Sequence, residues 1–136
     1  MKHLIVFFII VLVLVPCAIA QEQAAEKKLE VAEAKLGKSV ENRVLTDETS
    51  TFTVNDRAYL WLRVTGGPAD SITVTWKTGD QSYESRLNIG GSPWRTWSYK
   101  TCYVAGSWTV TVTDAQGTTL KELSFTVEEA KLEMKQ

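Results

Sequence analysis

The chain has 136 residues, of which 44% are hydrophobic and 23% charged, and its formal net charge is −1. This length is sufficient for one domain with its own hydrophobic core. The near-neutral charge argues against nucleic acid and against an anionic membrane surface as partners, because both require an excess of basic residues.

The first twenty residues have the pattern of a secretory signal peptide. A basic start precedes an unbroken apolar run over residues 4–15, and the small residues Ala18 and Ala20 stand at the minus-three and minus-one positions of a cleavage site. We therefore predict cleavage after Ala20 and export to the periplasm or the exterior. The alternative is an uncleaved segment over residues 4–20 that anchors the protein to the inner membrane, the one case in which the membrane is a partner.

Cleavage at this position changes the charge and the cysteine content. It removes one basic residue, Lys2, and none of the 16 acidic residues, so the mature chain has a net charge of −2. It also removes Cys17 and the only histidine, His3. Cys102 is then the one cysteine of the mature chain and has no partner for an internal disulfide.

Residues 21–38 are predicted to form a helical spacer. The segment is rich in Ala, Glu and Lys, which favour helices. A four-three-four spacing of apolar residues gives this helix one apolar face, made of Ala25, Leu29, Ala32 and Leu36. Gly37 follows directly, where a left-handed residue would end the helix. Two weak heptads are too few for a coiled coil, so a solvated spacer is favoured over a dimerisation seam.

Residues 39–128 are predicted to form a β-sandwich domain, because the composition shifts to Thr, Val, Trp and Tyr and the hydrophobic period becomes two. Alternating apolar residues predict strands at 58–64, 72–76, 108–112 and 123–127. Short strands separated by turns, without intervening helices, indicate an all-β fold. We predict an immunoglobulin-like antiparallel β-sandwich preceded by the short helical spacer. Trp76 and Trp108 continue the apolar phase of their strands and are predicted core residues, and residues 129–136 form a charged tail.

The segment after the turn at residues 90–93 concentrates aromatic and cationic side chains. The candidate ligand-binding residues are Trp94, Arg95, Trp97, Tyr99 and Lys100. Aromatic faces beside guanidinium and ammonium groups stack on sugars and other planar ligands, or lock together as a cation–π core. In an extended strand Trp97 and Tyr99 share one face, and Trp94 lies on the other.

Three sequence blocks carry a resemblance to a known family. They are Trp94-Arg95-Thr96-Trp97-Ser98, Gly106-Ser107-Trp108 and, upstream, Arg57-Ala58-Tyr59-Leu60-Trp61. With these blocks, residues 40–127 resemble the bacterial domain-of-unknown-function family 2914. The resemblance implies an exported or membrane-associated β-sandwich module. It supplies no activity, because a fold by itself does not give a function.

The residues argue against catalysis. Without a histidine the mature chain has no Ser-His-Asp or Cys-His arrangement and no histidine-based metal site. The Cys102 thiol lacks an activating partner, so a buried or idle thiol is predicted. The carboxylates are scattered through predicted turns and do not have the spacing of a calcium loop. We predict a protein that is not an enzyme and that holds no cofactor or metal.

Two functions remain open. One is a structural or protein-interaction role in the cell envelope. The other is binding of a glycan or cell-envelope polymer through residues 94–100. Large aromatic residues near turns more often belong to a core than to a ligand platform, which favours the structural role. Trp61, predicted to point outward with Tyr59 and Arg63, forms a second aromatic strip that either packs under the spacer helix or contacts a partner. Solvent exposure of the tryptophans distinguishes the two functions.

Overall fold

The computed structural model of the protein describes residues 28–131. The predicted signal peptide, the first part of the predicted spacer (21–27) and the end of the charged tail (132–136) lie outside the described residues. The described part forms nine strands: β1 (Glu30–Glu41), β2 (Val44–Glu48), β3 (Thr51–Thr53), β4 (Arg57–Thr65), β5 (Asp70–Thr78), β6 (Gln81–Ile89), β7 (Trp94–Thr101), β8 (Gly106–Thr113) and β9 (Thr119–Glu128). Within residues 28–131 no helix has the length and apolar character needed to cross a bilayer.

The strands form two sheets that pack as a β-sandwich. The first sheet has the strand order β2-β1-β4-β7, and the second has the order β3-β9-β8-β5-β6. All pairs are antiparallel except β3 with β9, which run parallel from Thr51 opposite Thr126 to Thr53 opposite Glu128. The predicted all-β sandwich is therefore confirmed, with one parallel pair added to the predicted antiparallel arrangement.

The core lies between the two sheets and follows the predicted alternation of apolar residues. In β4 the inward residues Ala58, Leu60, Leu62 and Val64 are buried. In the second sheet Trp76 and Trp108 are 1% and 2% exposed. Phe125 contacts both of these indoles, with ring centroids 5.9 Å from Trp76 and 5.8 Å from Trp108. These aromatic contacts join β5, β8 and β9 into one packed unit, as the strand phases predict.

The predicted helical spacer is wrong over residues 30–38, which lie in β1. This strand pairs with β4 from Glu30 opposite Thr65 to Gly37 opposite Tyr59, so it completes the sandwich instead of preceding it. A register shift between Val31 and Glu33 inserts one extra residue. In a regular strand, residues seven positions apart point to opposite faces, but one bulge places them on the same face. Seven residues are also about two turns of a helix, so a bulged strand and a helix give the same spacing of buried residues.

The inward face of β1 shows this coincidence directly. Leu29 and Leu36, seven residues apart, are both buried in the core, with Val31 and Ala34 packed beside them. Helix propensities within this segment amount to tenths of a kcal/mol per residue. Burial of two leucines, worth about 1.5–3 kcal/mol each, together with pairing to β4, outweighs them.

Cys102 lies directly after β7 in a fully buried position. Its backbone N–H donates to the carbonyl of Asp56 at 3.0 Å, and its own carbonyl accepts from the N–H of Asn55 at 2.8 Å. Burial raises the pKa of the Cys102 thiol from 9.0 to about 11. The thiol is buried and free, as the sequence predicts.

We expect Cys102 in the folded protein to react with a thiol reagent at pH 8 at least about 100-fold more slowly than in the urea-unfolded chain, since a pKa raised by about two units leaves that much less thiolate. A raised pKa in the folded state also means that the neutral thiol contributes to stability below about pH 9. This contribution is lost as the pH rises through 11. Stopped-flow labelling in native buffer and in urea measures both rates, and equal rates would contradict the burial.

Candidate functional site

Strand β7 lies at the free edge of the first sheet and pairs only with β4 among the described strands. The register places Tyr99 opposite Tyr59, Trp97 opposite Trp61 and Arg95 opposite Arg63. All six side chains belong to the face of the first sheet that points away from the core, which we call the outer face. The two aromatic strips predicted separately from the sequence therefore form one surface.

The five tryptophans divide into three buried and two exposed residues. Besides the two core tryptophans, Trp61 is only 8% exposed, and its indole N–H donates to the backbone carbonyl of Arg43 at 2.9 Å. Trp61 thus lies under the turn between β1 and β2, and neither of its predicted environments, under a helix or on an open strip, is observed. Trp94 and Trp97 are 39% and 36% exposed.

Trp94 begins β7 and faces the opposite side of that strand from Trp97, as predicted. Its ring lies beside Gly90, where an added Cβ would come within 2.8 Å of the indole Cη2. The preceding loop is held by the N–H of Gly66, which donates to Ser92 Oγ at 3.0 Å. The exposed ring of Trp94 is therefore seated by the glycine at this turn and presents its remaining surface to solvent.

A groove of about 520 Å3 lies beside these rings. It is lined by two tryptophans, three arginines and a few smaller residues: Arg43, Arg63, Asn88, Pro93, Trp94, Arg95, Thr96 and Trp97. Aromatic surface and polar hydrogen-bonding groups thus line one concave site. This is the composition expected of a ligand-binding site.

Of the three arginines in this groove, only Arg63 forms an ion pair within residues 28–131. Arg63 Nε lies 3.3 Å from the carboxylate of Glu33 on β1. The contact is an ion pair without hydrogen-bond geometry, since this Nε is buried and lacks a hydrogen-bond partner. Neither Arg43 nor Arg95 forms an ion pair within residues 28–131.

The other two predicted site residues do not line the groove. Tyr99 is half-exposed on the outer face, with its ring 5.3 Å from that of Tyr59 and 5.0 Å from the guanidinium of Arg57. Lys100 lies on the other side of β7, and its ammonium is 3.9 Å from the ring of Tyr83 on β6. Of the five predicted residues, the structure therefore brings three into the groove: Trp94, Arg95 and Trp97.

Sequence reasoning missed several groove residues. Arg63 stands in the predicted outward strip, yet only the pairing of β4 with β7 brings it to Arg95. Arg43 was not among the predicted site residues, because the β1–β2 hairpin that carries it was not predicted. Asn88 reaches the groove from the end of β6. In the described part of the chain no group of three or more His, Cys, Asp or Glu side chains is placed to hold a metal ion.

Comparison with known proteins gives one family match, over part of the chain. Residues 69–127 match the model of a protein family of unknown function, DUF2914. This match confirms the predicted family. The DUF2914 segment contains β6 and β7, and with them Asn88, Trp94, Arg95 and Trp97 of the groove. The arginines at 43 and 63 come from strands that precede the matched segment. No curated protein matches the chain.

Two solved structures are similar in strand arrangement. The CARDB domain of a Pyrococcus furiosus protein, in complex with di-metal ions, has 16% identity and a TM-score of 0.46, covering 78% of this chain and 90% of that domain. A β-glucosidase involved in saponin metabolism from intestinal bacteria has 13% identity and a TM-score of 0.45, covering 74% of this chain. The alignment spans 16% of the glucosidase. At these identities and TM-scores neither likeness carries an argument about function.

Proposed function

We propose that this DUF2914 domain is an exported, non-catalytic binding module that holds a glycan or cell-envelope polymer in the groove along β7. The observation that carries the proposal is the exposure of Trp94 and Trp97, both of which line the groove beside Arg95. Export is supported by the signal-peptide pattern at residues 1–20. The absence of histidine after His3 and the raised pKa of the Cys102 thiol support a non-catalytic role.

Exposure of the Trp94 and Trp97 rings is unfavourable in free energy. Tryptophan is among the largest apolar side chains, and this domain buries Trp61, Trp76 and Trp108. Leaving more than a third of two further indoles in water gives up hydrophobic stabilisation. A ligand that covers these ring faces recovers it. Sugar rings offer flat C–H surfaces for the indoles and hydroxyl groups for polar neighbours such as Asn88 and Thr96.

We expect Trp97→Ala to weaken retention on the bound polymer by at least about 10-fold, because stacking depends on the area of the ring. The unfolding midpoint should change little, and Trp97→Phe should restore part of the binding. Affinity electrophoresis in gels that contain peptidoglycan fragments, polygalacturonate or neutral glucans measures retention, with thermal unfolding of each variant in parallel.

The matched control is Tyr103→Ala, which removes the most exposed aromatic residue of the described chain, one that does not line the groove. Its retention should equal that of the unchanged protein. If Trp97→Ala instead lowers stability by several kcal/mol and any lost binding follows unfolding, the structural role is favoured and the binding proposal is wrong.

A second candidate function, protein interaction, has one observation in its favour. Strand β7 is an edge strand eight residues long, and such an edge offers backbone hydrogen bonds to an extended segment of a partner. Binding of that kind depends on the backbone more than on one ring. A bound envelope protein whose affinity is unchanged by Trp97→Ala would favour this function over glycan binding.

A further inference from the structure

We infer that the groove recognises an acidic group, so that its ligand is an anionic glycan, with carboxylate or phosphate groups on or between its sugars. This inference rests on the proposed function and names the class of ligand. It is carried by three arginines that line one groove, Arg43, Arg63 and Arg95.

Arg63 and Arg95 place two like charges side by side in the first sheet. These residues are directly opposite each other on β4 and β7, and both belong to the outer face. Like charges at directly opposed positions of an antiparallel pair are destabilising. An anion bound between them would remove this repulsion.

The carboxylate that pairs with Arg63 does not reach Arg95. Glu33 is placed on the far side of Arg63, on β1, and its other oxygen lies 3.7 Å from the ammonium of Lys35. This carboxylate is therefore shared between two cations and lies two strands away from β7. It leaves Arg95 without an acidic neighbour in an ion pair within the described chain.

Arg43 lies in the turn between β1 and β2. Its backbone is in the left-handed region, with a φ of 63°, and its carbonyl accepts the hydrogen bond from the Trp61 indole. A non-glycine residue in this conformation is uncommon and requires support from its surroundings. The turn is thus tied to the outer face, and its arginine lines the groove with the other two.

The chemistry of these groups selects the ligand. A guanidinium presents a planar fork of N–H donors that matches carboxylate and phosphate oxygens. Trp97 offers a ring face in the same groove. An acidic group on a sugar ring satisfies both requirements at once, whereas a neutral sugar leaves Arg43 and Arg95 without a counterion.

The test compares polymers that differ in charge. We expect the full chain to be retained by polygalacturonate at least about 10-fold more strongly than by the same polymer with its carboxylates methyl-esterified, with the difference decreasing at high salt. A sugar phosphate polymer forms the second arm. Stronger retention by this polymer than by polygalacturonate, with the same dependence on Arg95, would assign the acidic group as phosphate and support the inference.

The variant Arg95→Gln should weaken retention on the acidic polymer by about 10-fold or more, and by more than it weakens retention on the esterified polymer. Its unfolding midpoint at low salt should be equal to or higher than that of the unchanged protein, because a like-charge pair has been removed. Lys77→Gln, which removes a cation from an exposed position of β5 outside the groove, is the matched control and should bind as before.

Two results would overturn the inference in distinguishable ways. Equal retention on acidic and esterified polymers, unaffected by Arg95→Gln but lost in Trp97→Ala, would reject the acidic ligand and keep the glycan-binding function. Absence of retention on every polymer would reject the proposed function and the inference with it.

Discussion

Replacing Trp108 by alanine is expected to lower the free energy of unfolding by about 3–5 kcal/mol, the range for emptying a buried aromatic site. Its ring stacks on Phe125 at an interplanar angle of 21°, and its indole N–H donates to the carbonyl of Val104 at 2.8 Å. The substitution removes both interactions and leaves a cavity between the sheets. Urea denaturation followed by circular dichroism measures the change, and a loss below about 1 kcal/mol would contradict the core assignment.

A pair of phenylalanine variants separates packing from hydrogen bonding. The indole nitrogen of Trp76 is buried without a hydrogen-bond partner, whereas that of Trp108 is paired. Trp76→Phe removes an unsatisfied donor, and Trp108→Phe removes a hydrogen bond. We therefore expect Trp108→Phe to cost about 1 kcal/mol more than Trp76→Phe. Equal costs would show that the two indole nitrogens contribute equally.

Replacing Gly37 by alanine is expected to lower the free energy of unfolding by about 1–3 kcal/mol, the usual cost of overpacking. Gly37 is buried in β1, and a Cβ added there would come within 2.8 Å of Leu45 Cδ1 and 2.9 Å of the Thr46 carbonyl oxygen. The predicted role of this glycine, ending a helix, is wrong, since it allows β2 to approach β1. Because part of the obstruction is backbone, the clash requires movement of the hairpin.

The control for this prediction is Gly91→Ala. An added Cβ at Gly91 meets only a ring carbon of Trp94, at 3.7 Å, which is ordinary contact. We expect its free energy of unfolding, measured in urea, to stay within about 0.5 kcal/mol of that of the unchanged protein. Similar losses for the two variants would mean that the close approach of β2 at Gly37 does not limit stability.

The sequence by itself determined the features that depend on local alternation. Inward and outward residues of β4, β5 and β8 follow from period two, because a strand with one buried face permits no other phase without exposing its apolar side chains. The burial of Trp76 and Trp108 follows from the same phase. The predicted family also came from local sequence blocks, and the match over residues 69–127 confirms it.

Only the tertiary structure decided which strands are neighbours. The pairing of β4 with β7 joins residues at least 30 positions apart, and the order of strands in a sheet leaves no local trace in one sequence. That pairing opposes Arg63 with Arg95 and creates the groove. Residues 29–38 show the same dependence, because a bulged strand and a helix would both bury Leu29 and Leu36. Residues 30–38 form a strand because the edge of β4 has backbone N–H and C=O groups free to pair, and only an extended segment can form hydrogen bonds with them.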